Sequence, residues 1–168
     1  MARRLDSEIK ILPNGDWCFR GSNIEQKDIL EYFRKSLREA SDGVYISNEF
    51  GELSEKGYLE LNGYASFLTS FEEVDGDLVF TSDAGIKFKR SDLEIAADRE
   101  GVLYAKEIGS KFLKYRLARN VISALSDYIE ETKDGLILKT EKAKVKILET
   151  SEGPEVPLPV EFRTDKTT

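Results

Sequence analysis

LREASDGVYI (Leu37–Ile46) and IEETKDGLIL (Ile129–Leu138) decide how this chain is read. Each closes an amphipathic run, carries Asp-Gly, and continues into an apolar, strand-like segment. Ahead of the first, Ile29, Leu30, Phe33, Leu37 and Ala40 recur at helical spacing, which predicts a helix over about residues 25–41. Ser22 and Glu25 have the S-x-x-E spacing of a capping box at its start, and Gly43 supplies a left-handed stop at its end. Ahead of the second, Leu117, Val121, Ile122, Leu125 and Ile129 predict a helix over roughly residues 112–132. At one fixed offset Ile29 matches Val121, Leu30 matches Ile122, Phe33 matches Leu125 and Leu37 matches Ile129. Asp42-Gly43 then matches Asp134-Gly135, Val44 matches Leu136 and Ile46 matches Leu138. Any amphipathic helix followed by Asp-Gly and a strand would look similar. The gapless match of core spacing, stop and strand favours internal duplication instead. The expectation is an α+β fold of two similar halves, each a long helix packed on an antiparallel, hairpin-rich sheet. Ligands of such proteins are expected in a cleft between the copies.

The remaining segments are hairpin-rich. EIKIL (Glu8–Leu12) alternates, PNGD (Pro13–Asp16) is turn chemistry, and WCFRG resumes an extended pattern, so a β-hairpin is predicted. FLTSFEEV and DLVFTS flank Asp75-Gly76, a signal for a tight turn. GVLYAKEI reads as a strand, and LILK with KVKIL as a final strand pair. From Thr150 to Thr168 the chain has three prolines and no periodicity, so it is either loose or a strap laid along the surface. The expected division is an N-terminal α+β domain over 1–62, a C-terminal α+β domain over 63–150, and a Pro-rich tail over 151–168.

Composition narrows the chemistry. With 168 residues, 40% apolar and 34% charged, the chain has the make-up of a soluble globular protein. No run approaches the roughly 18 apolar residues of a membrane span, and the single Cys18 excludes an internal disulfide, so a cytoplasmic location without membrane contact is expected. A net charge of −7 argues against general nucleic-acid binding. The absence of histidine removes Ser-His-Asp and Cys-His catalysis and any imidazole metal site. C-x-x-C, G-x-G-x-x-G and the phosphate-loop pattern are also missing, so no cofactor or metal is expected. Asp75-Gly76-Asp77 lacks the alternating oxygen ligands of a calcium loop and reads as a turn.

One local charge cluster runs against the acidic balance. Lys106, Lys111, Lys114, Arg116 and Arg119 fall within fourteen positions, opposed only by Glu107. Lys111 follows Gly109-Ser110 at the expected helix start, where free amides and the helix dipole favour an anion. Arg116 and Arg119 would be neighbours one turn apart. A solvated charged face with an ordinary cap is the plainer alternative. Trp17 could stack on a base through its broad π face, or simply fill a core.

The run GDWCFRGSNI, then ILEYFRKSLREASDGVYI, EKGYLEL, DLVFTS and RNVISAL resembles the bacterial domain-of-unknown-function family 1285 over roughly Ile9 to Leu148. The resemblance implies an α+β core built by duplication, a C-terminal half loosely like a pleckstrin-homology barrel, and an interdomain cleft for a nucleotide-like ligand, with a signalling role. The family's Trp falls on Trp17, its Glu-Lys pair on Glu55 and Lys56, its Thr on Thr81 and its second-helix Arg on Arg119. Asn23 and Gln26 stand where the family has proline and arginine, and an indel falls between Tyr45 and Glu55. Lys56 is otherwise read as half of a surface pair with Glu55, and Thr81 as an ordinary hairpin residue.

The leading expectation is therefore a non-catalytic, regulatory module binding a small anionic, nucleotide-like ligand through Trp17, Lys56, Thr81, Lys111 and Arg119. One alternative is a metal-dependent, phosphohydrolase-like enzyme using carboxylates, which needs several acids to converge. Another is a structural protein that forms homo-oligomers through hairpin edges or the tail.

Overall fold

The computed structural model describes residues 2–163. Sheet dominates, and the described residues hold two short α-helices. The chain forms two compact units. The first comprises residues 2–65, Lys111–Leu113 and residues 154–163; the second comprises Ser66–Ser110 and Lys114–Gly153.

In the first unit the chain runs through β1 (Arg3–Ile11), β2 (Trp17–Phe19), β3 (Ser22–Asn23), α1 (Lys27–Lys35), β4 (Leu37–Ala40), β5 (Gly43–Phe50) and β6 (Leu53–Leu61). These strands make one six-stranded sheet in the order β3-β2-β1-β6-β5-β4, antiparallel except where β1 meets β6. The Pro13–Asp16 turn joins β1 to β2 as expected, with Ile11 opposite Trp17. Ile11, Trp17, Val44, Ile46, Tyr58 and Leu59 are its buried heart. Residues 154–163 lie along this sheet as a strap, the second of the two expected forms. Val156 exchanges both backbone hydrogen bonds with Leu61 at 2.9 Å, and the Phe162 ring lies 5.7 Å from that of Tyr58. Arg4 ties the strap down by bonding Glu161 as well as Asp42 and the Tyr58 hydroxyl. The part of the expected tail from Thr164 onward lies outside the described residues.

The second unit contains β7 (Ser66–Val74), β8 (Asp77–Ser82), β9 (Lys87–Lys89), β10 (Leu93–Ala97), β11 (Leu103–Glu107), β12 (Tyr115–Leu117), α2 (Arg119–Leu125), β13 (Ile129–Thr132), β14 (Gly135–Lys139), β15 (Lys144–Lys146) and β16 (Leu148–Glu149). A seven-stranded sheet has the order β16-β10-β11-β12-β7-β8-β9, and β13-β14-β15 form a second sheet. The β7–β8 hairpin turns at Asp75-Gly76 as predicted, both residues taking the positive φ (52° and 80°) that such a turn demands. Arg90, 8% exposed, reaches back to Asp77 at the start of β8.

Both long helices of the sequence reading are corrected. The expected helix over residues 25–41 ends at Lys35, and the one over 112–132 is confined to Arg119–Leu125 with a short 3-10 turn after it. LREASDGVYI and IEETKDGLIL are hairpins that turn at Ser41-Asp42 and Lys133-Asp134, not a helix end followed by a strand, and Gly43 is a paired residue of β5 outside the left-handed region expected of a helix stop. Their registers coincide: Leu37↔Ile46 and Ala40↔Gly43 in the first, Ile129↔Leu138 and Thr132↔Gly135 in the second. The capping box is corrected too. Ser22 belongs to β3, and Gln26 starts α1 without a side-chain cap.

Chain order repeats between the units. Three strands linked antiparallel (β1–β3; β10–β12) lead into a helix and a hairpin (β4–β5; β13–β14). The closing strand of each run lies parallel to the first, as β6 on β1 and β16 on β10. No helix among the described residues is long and apolar enough to cross a membrane.

Candidate functional site

Trp17 is 1% exposed; its Nε1–H donates to the Ala65 carbonyl at 2.9 Å, and its ring stacks on Phe33 of α1 at 6.0 Å. Its π faces are thus spent inside the first unit. Lys56 lies on β6 with its ammonium 5.0 Å from the Tyr45 ring centre. Trp17 faces Ile11, which faces Leu61 on β6, so the two residues stand five positions apart along β6, roughly 17 Å at the usual rise per residue. In the second unit, Thr81 and the start of α2 are neighbours. Thr69 Oγ1 donates to the Thr81 carbonyl, and Asn120, next to Arg119, donates to the Thr69 carbonyl at 2.8 Å.

The expected anion site at Lys111 takes a different form. Lys111 does not begin a helix, since α2 starts at Arg119, and Arg116 sits on β12 rather than one helical turn from Arg119. The amides of residues 111–113 do converge on an anion, but that anion is the carboxylate of Glu39. Its Oε2 accepts from Lys111 N–H at 3.0 Å, and its Oε1 accepts from Leu113 N–H at 3.0 Å. The other lysines of the sequence cluster are engaged as well. Lys106 faces Glu94 at 3.9 Å, while buried Lys114 pairs with Glu152 at 3.2 Å over the Tyr104 ring. Glu39→Gln is expected to cost about 1–2 kcal/mol, because charge-assisted bonds to these amides weaken. An unchanged urea midpoint would show that water serves the amides equally well.

A feature the sequence did not announce lies under α1. One face of the first sheet and the inner side of α1 line an open cleft of about 670 Å³, a volume suited to a small organic ligand. Leu5 and Ile9 from β1, Ile46 from β5 and Gly57 from β6 line it from the sheet, and Ile29 and Phe33 line it from α1. Gly57 and Ser7 lie close together there, since a Cβ on Gly57 would sit 3.2 Å from the Ser7 Cβ. Ser7 and Glu8 form a bulge between the pairs Asp6↔Tyr58 and Ile9↔Leu59, with Glu8 in the left-handed region at φ 62°. Bulges of this kind re-aim side chains and are common beside binding sites.

α1 and α2 differ in packing at the positions that the sequence offset matches. Val121 and Leu125 of α2 are each 1% exposed, whereas Ile29 and Phe33, matched to them in sequence, leave α1 with no buried residue. Ile29 is 39% exposed and borders the cavity. The α1 face is as apolar as α2's, yet unfilled. Alternation along β5 carried the one available signal: Val44 and Ile46 point inward, and Asn48 follows on the same face where an apolar residue would be usual.

Among the described residues no group of three Cys, Asp or Glu side chains is placed to hold a metal ion. The shifted carboxyl groups belong to structural pairs. Hydrogen bonding to Arg90 holds the Asp77 carboxyl below the usual range, and hydrogen bonding to Arg4 does the same for Asp42. Burial, with Asp42 alongside, raises the Tyr58 phenol.

No family model matches the chain, and no curated protein matches it. Solved structures do. A DUF1285 family protein from Silicibacter pomeroyi is similar with a TM-score of 0.69 at 17% identity, over 96% of this chain and 85% of that one. A DUF1285 family protein from Shewanella baltica is similar with a TM-score of 0.53 at 14% identity, over 71% of this chain and 90% of that one. The family that the motif order resembles is thus the one whose fold the chain shares, and the chain has a DUF1285-like fold.

Proposed function

We propose that this protein is a small-molecule binding module, acting in the cytoplasm, whose ligand enters the cavity beneath α1. The observation that carries this reading is the unfilled space between α1 and its sheet, at the positions that α2 buries. Protein interiors are ordinarily close-packed, and apolar side chains left facing an open cleft forgo contact energy that an occupant would supply. A helix retained in that condition is best explained by an occupant. The common chain order and hairpin register of the units support an origin by duplication, after which the N-terminal copy kept an open site and the C-terminal copy closed over its own. Titration of the full chain with the neutral, apolar fluorophore N-phenyl-1-naphthylamine should give saturable, one-to-one enhancement. Ile29→Trp should fill the mouth and abolish that signal with an unaltered melting temperature. Absence of saturable binding to the unsubstituted protein contradicts the reading.

A further inference from the structure

We infer that the cavity selects an uncharged ligand, an apolar body carrying one neutral group that both donates and accepts a hydrogen bond, such as a carboxamide. This rests on the binding-module reading and adds the ligand's chemistry to it. The charge of the lining decides the class. Glu25 is the one ionisable side chain among the lining residues, and it is exposed at the rim. A carboxylate or phosphate entering here would lose hydration with no cation to replace it, a penalty that apolar contact does not recover. A cation gains little from Glu25, because a solvated rim charge attracts weakly.

The remaining polar groups are hydroxyls and amides, and most are already used. Ser7 Oγ donates to the Tyr58 carbonyl at 2.6 Å and accepts from Ile9 N–H at 3.1 Å. Asn23 Nδ2 is directed to Asp16 at 3.3 Å. Asn48 is different. It is half-buried, lies on the same face of β5 as Ile46, and its carboxamide has no hydrogen-bond partner among the described residues. Gln26, at the entrance beside α1, likewise makes no capping bond to the helix. A carboxamide offers donors and an acceptor side by side, so a group that pairs with both sides of Asn48 presents a donor and an acceptor in return.

The test is displacement of N-phenyl-1-naphthylamine from the full chain by octanamide, octanoate and octylammonium at neutral pH, three probes that differ only in the head group. Octanamide should compete best, by roughly tenfold or more over octanoate, the scale of one hydrogen bond gained and an ion's desolvation avoided. Asn48→Leu should weaken octanamide by about five- to tenfold, as loss of one neutral hydrogen bond implies, while the melting temperature holds. If the fluorophore binds but octanoate or octylammonium displaces it as well as octanamide does, the ligand class is overturned and the binding module stands. If Asn48→Leu leaves the octanamide affinity intact, Asn48 is not the recognising group and the inference fails. If the fluorophore itself never binds, both readings fall together.

Discussion

Trp17→Ala is expected to cost about 4 kcal/mol, the usual penalty for deleting a buried aromatic side chain. The substitution removes the ring that supports Phe33 from behind and leaves the Ala65 carbonyl without the indole donor. Phe33 is part of the cavity wall, so the damage extends to ligand binding even where the protein still folds. Trp17→Phe should recover much of the stability, since most of the buried area returns, but not the bond to Ala65. Urea denaturation of both variants checks the account. A loss below about 1 kcal/mol for the alanine variant would mean that Trp17 is not the keystone of the first unit.

Arg90→Ala should have the next largest effect, about 3 kcal/mol, because it strands a partly buried carboxylate. The guanidinium grips Asp77 with two bonds, Nε to Oδ1 at 2.8 Å and a terminal nitrogen to Oδ2 at 3.0 Å. The side chains are only 10% and 22% exposed, so screening by solvent is limited. The pair also sets a pH dependence. Asp77 has a folded-state pKa below its unfolded value, near 3.9, so its contribution is complete above that value. It is lost as the pH falls through the depressed folded-state value. Stability measured downward from pH 5 should therefore decline less steeply in Asp77→Asn than in the unsubstituted chain. Equal slopes would remove Asp77 from the acid response.

Much of the turn chemistry was legible in the sequence, and most of the helix boundaries were not. Asp75-Gly76 turns the β7–β8 hairpin as read, whereas Asp42-Gly43 and Asp134-Gly135, read as helix stops, belong to hairpins instead. Leu37-Arg38-Glu39-Ala40 continues the helical spacing of α1 and is built of good helix formers, yet it pairs with Gly43–Ile46. Sheet pairing overrode local propensity there. The second helix was drawn too long for a different reason. Tyr115–Leu117 pairs in parallel with Ser66–Leu68, a partner far away in sequence that periodicity does not reveal. Ser22 and Glu25 had capping-box spacing, but Ser22 faces Phe19 in a strand pair.

Site residues divide in the same way. Lys111 was chosen as the start of the second helix, where free amides and the dipole favour an anion, but α2 starts at Arg119 and the Lys111 and Leu113 amides donate to Glu39. Trp17 was open to either role, and its burial favours the core. The cavity depends on how far α1 stands from its sheet, a distance no residue pattern encodes. Only Asn48, polar at an inward position of β5, hinted at it.

The central claim is that the space beneath α1 holds a ligand, and methyl-detected NMR of the full chain with octanamide tests it most directly. Intermolecular nuclear Overhauser effects from the octyl chain should reach the methyl groups of Ile9, Ile29 and Ile46, which line the sheet and helix sides of the cavity. They should disappear in Ile29→Trp. Contacts confined to methyl groups of the second unit, such as Val121 or Leu125, or none at all at saturating octanamide, would contradict the account.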